Sequence, residues 1–268
     1  MTRIIVHAGF HKTGTTSLQD FFKQNRAALE PWLSYYGKAD FRMAGAHARV
    51  YGQHRYWWRR LMFRRAFRRF LTGLPDAHTI VLSRETFAGA MPGHRRFGGR
   101  QVESYAPAAI PLAREIVGEL RDRFGPEVTV EFLYTLRDRD SWLASVHGHL
   151  LRSINLRADL AGFRAGFRTL PDPARDAQRI AAALAPIPVH IAWLEDYADL
   201  PEGPAGAVLD LIGFPVEMLD MLKPAPHGNP GQPDDLRERF RALNLKGGRR
   251  HELKAAKEAL LAASRQKP

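Results

Sequence analysis

Four short apolar runs, each followed by a helical pattern, limit the fold of this chain more than any other feature. The runs are RIIVHA at 3–8, HTIVLS at 78–83, VTVEFLYTL at 128–136 and PVHIAWL at 188–194. Strands that alternate with helices form a mainly parallel sheet flanked by helices. The sequence therefore predicts a single α/β domain over residues 1–268. Ligands of such sheets bind at the carboxyl ends of the strands, so the residues just after these runs are the candidates for chemistry.

Helices are predicted where apolar residues recur every three or four positions. The first begins at the end of a glycine-bearing loop and places Leu18, Phe21 and Phe22 on one face. The predicted helices cover residues 16–29, 111–124, 141–153 and 204–214. Glycine-rich sequence predicts loops at 87–101 and 227–233. The basic C-terminal part, at about 227–268, is expected to form a loop, a helix and a frayed end.

A helical insertion is predicted at about 40–75, and its central part is RYWWRRLMFRRAFRRFL at 55–71. Arginines interrupt an apolar series at helical spacing, which predicts an amphipathic helix. The apolar residues of the predicted stripe are Trp58, Leu61, Met62, Phe67 and Phe70. Packing of this stripe on the core, with the arginines in water, is favoured because ordinary surface helices share the pattern. The alternative is a surface that binds an acidic polymer or a membrane.

Charge and composition exclude several classes of protein. The 268 residues include 40 Lys and Arg against 28 Asp and Glu, a formal net charge of +12 that favours anionic partners. No cysteine is present, which rules out disulfides and thiolate metal sites. The sequence has no run of about 18 apolar residues and no basic-then-hydrophobic leader, so we expect neither a transmembrane helix nor a secretory signal. These features predict a cytoplasmic protein.

The first predicted strand leads into GFHKTGTT at residues 9–16. Gly9 and Gly14 have the spacing of a P-loop, G-x-x-x-x-G-K-[ST], but the lysine that should follow Gly14 is missing. The lysine of this loop is Lys12, which lies between the two glycines. From there Lys12 would approach the anion from the other side, near a terminal transferable group or a bridging oxygen. That arrangement suits a nucleotide with a short 5′ arm.

A glycine-rich turn between a strand and a helix forms an anion site, because backbone N–H groups converge at the positive end of the helix dipole. Here the amides of Thr13, Gly14, Thr15 and Thr16 can surround one phosphate, and the hydroxyls of Thr15 and Thr16 can add two donors. Gly14 is expected to supply a positive φ. The alternative is a simple helix cap, since threonine favours that position.

The run GFHKTGTTSLQ after an opening strand resembles the 5′-phosphosulfate-binding loop of sulfotransferases that use 3′-phosphoadenosine-5′-phosphosulfate (PAPS), whose motif is K-[TS]-G-T-T. A second motif agrees in order and context. The family holds the 3′-phosphate with an Arg at a strand end and a Ser eight residues later, and Arg137 and Ser145 match this pattern in LYTLRDRDSWLASVHGHLL. The resemblance implies a P-loop NTPase-like sulfotransferase fold, PAPS as the donor, 3′-phosphoadenosine-5′-phosphate (PAP) as the product and no metal.

Two further stretches are similar to the family. VHIAWLEDYADLP resembles a strand that ends in a Glu-Asp pair, ahead of a helix that closes with LIGFP, and HGNPGQPDDLRERFRALN resembles a late Asn-bearing loop and helix. Several branches have an aromatic residue before the Glu-Asp pair to hold the adenine, and Leu194 occupies that place here. The adenine contact is therefore not assigned from the sequence.

The resemblance also implies candidate catalytic residues. Lys12 is expected to stabilise the leaving group, because sulfuryl transfer depends on positioning and electrostatic stabilisation. Glu85 lies just beyond the second predicted strand, where some branches of the family use Glu and others His, and it is the candidate general base. Its alternative role is an ion pair with Arg84 or another arginine. His11, beside Lys12, is the competing base.

The leading hypothesis is a PAPS-dependent sulfotransferase acting on a hydroxyl or amine acceptor, such as a saccharide or glycolipid. Its partners would be the nucleotide donor and a small-molecule or saccharide acceptor, and the arginine excess favours an anionic one. Nucleic acid is not expected as a partner, while the helix at 55–71 allows peripheral membrane contact. His147 and His149 are two apart on a predicted helix and do not face each other, so they indicate packing or substrate-side roles rather than a metal site.

Two other functions remain open. A P-loop kinase using Mg-ATP is the first, although the second apolar run ends in Ser83, Arg84 and Glu85 instead of a metal-binding Asp. The second is a non-catalytic protein that keeps a nucleotide fold and binds an acidic glycan or nucleic acid.

Overall fold

The computed structural model describes residues 2–96, 98–226 and 232–265. The strands are β1 (Arg3–His7), β2 (Ser34–Tyr36), β3 (Thr79–Ser83), β4 (Thr129–Leu136) and β5 (Val189–Trp193). Within the described residues they form one five-stranded sheet in the order β2-β3-β1-β4-β5, and every pairing is parallel. The predicted α/β class with a mainly parallel sheet is confirmed. All the strands therefore end at the same edge of the sheet.

Helices connect the strands and cover the sheet. The α-helices of the described residues are α1 (Thr15–Gln24), α2 (Arg26–Leu29), α3 (Arg42–His54), α4 (Trp57–Thr72), α5 (Ala106–Phe124), α6 (Arg139–Ser153), α7 (Leu160–Ala165), α8 (Pro173–Leu184), α9 (Leu194–Tyr197), α10 (Gly206–Ile212), α11 (Asp234–Lys246) and α12 (Arg250–Arg265). No helix within these residues combines the length and the apolar character needed to cross a membrane.

The described residues fall into two compact units. The first comprises those of 1–138 and 171–228, and it contains the sheet; the second comprises those of 139–170 and 229–268, and it contains α6, α7, α11 and α12. The second unit has its own small apolar cluster, in which Leu151 packs with Leu236 and Phe240. A single domain over 1–268 stays a prediction. Of the predicted loops, Phe97 and residues 227–231 lie outside the described residues, as do the last three residues of the predicted frayed end.

One face of the sheet packs against α1, α2 and α10. Ile5 and Val81, which pair in register on β1 and β3, are buried with Leu18, Phe21 and Phe22 of α1. The predicted apolar face of this helix is confirmed. The helix ends at Gln24, five residues earlier than predicted, because the side chain of Asn25 exchanges hydrogen bonds of 2.8 Å with the backbone of Lys223.

Strand β2 is absent from the sequence prediction. It has only three residues, SYY, and pairs with β3 through Ser34, Tyr35 and Tyr36. A strand this short at the edge of a sheet carries too little periodicity to be recognised. Its position follows from its pairing with β3 and not from its own sequence.

The predicted helix at 55–71 is confirmed as α4, but its buried stripe differs from the predicted one. The core takes Phe63, Phe67 and Leu71, whereas Trp58 and Met62 are 42% and 41% exposed. The interpretation that Trp58 and Met62 pack on the core is therefore wrong. Whether the outward face binds an acidic polymer or a membrane stays a prediction.

Ion pairs between α4 and α5 explain why the buried stripe of α4 differs from the predicted stripe. Arg60 pairs with Glu115 at 3.0 Å, and Arg64 and Arg68 pair with Glu119 at 2.9 and 2.7 Å. Glu119 is 3% exposed, so its carboxylate requires paired charges to offset the cost of burial. The arginines beside the buried stripe thus contact another helix, and the prediction that they lie in water is wrong for Arg60, Arg64 and Arg68.

Candidate active site

The loop between β1 and α1 has a backbone conformation that few residue types can adopt. A Cβ at Gly9 would overlap the His7 ring and the Thr135 hydroxyl. Two residues of the loop are left-handed: Lys12 has φ +71° and Gly14 has φ +83°, so the predicted positive φ of Gly14 is confirmed. Left-handed residues in a loop turn successive N–H groups toward one point, which forms a concave anion site. The loop therefore has the backbone of a phosphate cradle.

Helix α1 begins at Thr15, with Gly14 as its N-cap and no side chain capping it. The helix-cap interpretation covers Gly14, Thr15 and Thr16; Gly14 does occupy the N-cap, but neither threonine side chain caps the helix. The Thr15 hydroxyl is buried and has no hydrogen-bond partner among the described residues, while Thr16 is exposed at the same helix end. A buried hydroxyl without a partner is costly, and an anion held by the first-turn amides would supply one. These groups fit the 5′-phosphate of a nucleotide.

The Thr13 hydroxyl has a different task from those of Thr15 and Thr16. Its O–H group donates to the Phe10 carbonyl, with 2.6 Å between the two oxygens. The Thr13 hydroxyl oxygen also lies 2.8 Å from the Thr135 hydroxyl oxygen. Because its one proton goes to Phe10, the Thr135 hydroxyl must donate to it. Only the backbone amide of Thr13 remains for an anion.

From Thr135 the hydrogen bonds continue across the ends of β4, β1 and β3, and every group in this series donates in the same direction. His7 Nε2 is 3.3 Å from the Thr135 hydroxyl and His7 Nδ1 is 2.8 Å from the Ser83 hydroxyl. Since Thr135 has already donated its proton, His7 donates from Nε2 and accepts from Ser83 at Nδ1, which requires a neutral ring. Burial lowers the pKa of His7 to about 4, in agreement with that neutral state. We call Ser83, His7, Thr135 and Thr13 the hydroxyl–imidazole chain.

His11 contacts Tyr105 at the mouth of the loop. Its backbone N–H donates to the Tyr105 hydroxyl at 3.2 Å, and its Nδ1 is 3.3 Å from the same oxygen. Burial lowers the pKa of His11 to about 3, and the positive charges of His94, Lys12, Arg84 and Arg49 lower it further. Tyr105 is itself fixed, because its backbone N–H donates to the buried carboxylate of Asp176 at 2.7 Å. Tyr105 and Asp176 have no motif in the sequence that would have singled them out.

Glu85 begins a short 3₁₀ helix (Glu85–Ala88) immediately after β3, and it is half-buried. The neighbouring Arg84 does not pair with it: the guanidinium donates from Nε to the Thr86 hydroxyl at 3.0 Å and from Nη1 to the Lys38 carbonyl at 2.6 Å. Within the described part of the chain, no ion pair involves Glu85. The alternative of an ion pair with an arginine therefore finds no support.

Arg137 comes directly after β4, in a turn held by a residue of α9. Its neighbour Asp138 donates from the backbone N–H to the Glu195 carboxylate at 2.9 Å, so the first acid of the Glu-Asp pair fixes the turn. Arg137 is half-buried and has no hydrogen-bond partner among the residues described. Ser145 lies on α6, in the second unit, and its pairing with Arg137 stays a prediction.

The parallel sheet brings the predicted groups of the first unit to one edge. The loop follows the central strand β1, Glu85 follows β3 on one side of it, and Arg137 follows β4 on the other.

His147, on α6, is 3% exposed and its Nε2 contacts the Ala158 carbonyl at 2.9 Å, which confirms packing as its role.

Replacing Gly14 with alanine is expected to lower the free energy of unfolding by about 2–3 kcal/mol. The new Cβ would lie 2.6 Å from Pro204 Cγ and 2.8 Å from Leu194 Cδ1, at a positive φ. Urea unfolding measures the loss. Gly118→Ala in α5 is the matched control, because its Cβ meets nothing within 4 Å and a helical alanine should add about 0.5–1 kcal/mol. Equal stability of the two variants would contradict the crowding at Gly14.

Comparison with known proteins identifies the fold. No protein-family model matches this sequence, and a comparison with curated proteins finds no significant match. The crystal structure of a sulfotransferase from Alicyclobacillus acidocaldarius is similar, with a TM-score of 0.50, 14% sequence identity and 96% of each chain covered. The chain has a sulfotransferase fold. The fold implied by the motifs at 9–16 and 137–145 is thus confirmed.

A second structure is similar at a lower level. It is a retinol dehydratase in complex with androsterone and inactive cofactor PAP, with a TM-score of 0.34 and 14% identity over 90% of this chain and 64% of that chain. The sulfotransferase fold is argued from the Alicyclobacillus acidocaldarius structure and not from this one.

Proposed function

We propose that this protein is a sulfotransferase that moves a sulfuryl group from PAPS to a hydroxyl or amine acceptor. The observation that carries the proposal is the loop at 9–16, which combines a left-handed lysine, a left-handed glycine and a buried, unpartnered Thr15 hydroxyl at a helix N-terminus. When bound, PAPS supplies an activated sulfuryl group, and PAP is the leaving nucleotide. The sulfotransferase fold supports the same assignment.

The chemistry of the side chains and backbone amides indicates which residues would hold the donor. The amides at 13–16 and the hydroxyls of Thr15 and Thr16 bind the 5′-phosphate, and the positive end of the α1 dipole strengthens this binding. The Arg137 guanidinium binds the 3′-phosphate through charge-assisted hydrogen bonds, with Ser145 as its partner. Lys12 holds its ammonium group at the loop to offset the negative charge that develops on the leaving oxygen.

Glu85 is the general base of the proposed reaction, and His11 is a donor. The backbone N–H of His11 donates to the Tyr105 oxygen, which also lies 3.3 Å from His11 Nδ1, and the neutral ring carries one N–H. A neutral ring with a pKa of about 3 is a weak base but presents an N–H to an anionic oxygen. The Glu85 carboxylate accepts the acceptor's proton as the hydroxyl attacks.

The experiment that tests this function is thermal unfolding with PAP and with ATP, each with and without Mg²⁺. PAP at 100 times its dissociation constant should add about 2.7 kcal/mol, independently of metal. Arg137→Ala should weaken PAP binding at least about tenfold, since it removes a charge-assisted contact. Arg139→Ala, which removes an exposed arginine two residues away, should bind PAP normally.

Other outcomes would point to the alternative functions. Stabilisation by Mg-ATP alone would replace the sulfotransferase with a kinase. Stabilisation by neither nucleotide would favour a non-catalytic binding protein.

A further inference from the structure

The strand order divides the candidate site into two halves. β4 and β5 lie on one side of β1 and carry Arg137, the proposed ligand of the donor's 3′-phosphate. β3 and β2 lie on the other side, where Arg84 and Glu85 follow β3. If the donor extends from the loop toward Arg137, the acceptor must approach Glu85 from the β3 side. Charged groups on the β3 side therefore face the acceptor.

Helix α3 packs on the segment after β3 through glycines. A Cβ at Gly45 would overlap the Arg84 guanidinium, and a Cβ at Gly52 would overlap the backbone of Ala90. Arg49 lies four residues after Gly45 and three before Gly52, so it shares their face of the helix. It is exposed, and it forms no ion pair among the described residues. The close packing of α3 thus brings a second arginine to the segment that follows β3.

Arg84 is a fixed and nearly buried cation. It is 8% exposed, and its guanidinium is held by the Thr86 hydroxyl and the Lys38 carbonyl, both of them neutral. Burial lowers its pKa, the carboxylate of Glu85 opposes that change, and the charge of Arg49 adds to it. A buried guanidinium whose hydrogen bonds all go to neutral groups retains the capacity to bind an anion.

His94 adds a polar atom that lacks a partner. Its Nε2 is buried and makes no hydrogen bond within the part of the chain that the structure describes. Burial and the charge of Arg49 lower its pKa, so the ring is neutral at pH 7 and can present an N–H. The charges of Arg49 and Arg84 also act on His11, in the loop itself. The backbone N–H of Arg84 donates to the His7 carbonyl at 3.0 Å, and Arg84 directly precedes Glu85, so the cluster adjoins the site where transfer would occur.

We propose that Arg49, Arg84 and His94 form an anion subsite in the acceptor half of the site. The acceptor is then a hydroxyl compound that already carries a carboxylate, sulfate or phosphate group. This inference rests on the proposed function, since it assigns the donor to the opposite half. Glu85 receives the proton of the hydroxyl, while the subsite orients the acceptor through its existing charge.

Inorganic sulfate, added to the protein saturated with PAP, tests the subsite. Millimolar sulfate should raise the unfolding midpoint above that in chloride at equal ionic strength, and Arg49→Gln should weaken sulfate binding at least about tenfold. Arg65→Gln on α4 is the matched control, because it removes another exposed arginine that is not part of the subsite. General exclusion of sulfate from the protein surface stabilises both variants equally, so the difference between them reports the site.

Several results would overturn the inference. Equal stabilisation of Arg49→Gln and the unchanged protein by sulfate would show that Arg49 does not bind the anion. A sulfate effect no larger than that of chloride would show that there is no anion subsite. Loss of PAP binding in Arg49→Gln, or competition between sulfate and PAP, would assign the cluster to the donor instead. If PAP itself fails to bind, the proposed function fails. In that case a sulfate response that Arg49→Gln abolishes and Lys12→Ala retains still identifies the anion subsite.

Discussion

Glu85→Gln is expected to lower kcat by about 10²–10⁴-fold, because the acceptor hydroxyl loses the group that takes its proton. Glutamine keeps the shape of the side chain, and Glu85 forms no ion pair among the described residues, so the fold should be unaffected. PAP should therefore stabilise the variant as well as the unchanged protein. Steady-state release of PAP from PAPS with a fixed acceptor gives kcat, and thermal unfolding gives PAP binding.

Two comparisons make the Glu85 result specific. Glu127→Gln, at an exposed position ahead of β4, should leave kcat unchanged. His11→Gln keeps an N–H donor at the loop and should lose less activity than Glu85→Gln. The opposite ranking, with His11→Gln the more damaging change, would make His11 the base and contradict the assignment of Glu85.

Lys12→Ala is expected to lower kcat by about 10²–10³-fold, the usual effect of removing one donor from the charge that develops in a transition state. PAP lacks the sulfuryl group, and its 5′-phosphate keeps the proposed contacts with the amides at 13–16 and the threonine hydroxyls, so its binding should fall by much less than the rate. Turnover and PAP-induced stabilisation, measured on the same preparation, separate the two effects.

The control for Lys12 is Lys23→Ala, which removes an exposed lysine from the last turn of α1. Because Lys12 already places a Cβ at a φ of +71°, alanine adds no backbone strain at this position, and the melting temperature recorded beside the rate should change little. An equal fall in turnover and PAP affinity would mean that Lys12 binds the nucleotide and has no special role in transfer.

Local signals were sufficient to predict the sheet and the loop. Four of the five strands and the order of their helices follow from apolar runs and turns, because a buried parallel strand is apolar throughout. Gly14 was predicted to have a positive φ because a strand-to-helix turn with this spacing needs one. These features depend on residues that are neighbours in the chain.

Features that depend on distant residues were not predicted. Trp58 and Met62 are exposed because Arg64 and Arg68 pair with Glu119, which lies on another helix. Tyr105 reaches His11 across 94 residues, and Asp176 fixes it from 71 residues further on. No periodicity or spacing within a short segment carries such contacts, so they can be recognised only in three dimensions.

The hydroxyl–imidazole chain has a consequence for binding of the proposed nucleotide donor. Ser83, His7 and Thr135 lie at the ends of β3, β1 and β4, and Thr13 ties the loop to them. The cradle is therefore assembled before any ligand arrives, and little ordering entropy has to be spent on binding. Acceptor preference can then change through Arg49 and its neighbours on α3, which are not part of the hydroxyl–imidazole chain. The residues proposed to hold the nucleotide keep their arrangement. Such a division would let related proteins exchange acceptors without rebuilding the part of the site that handles the donor.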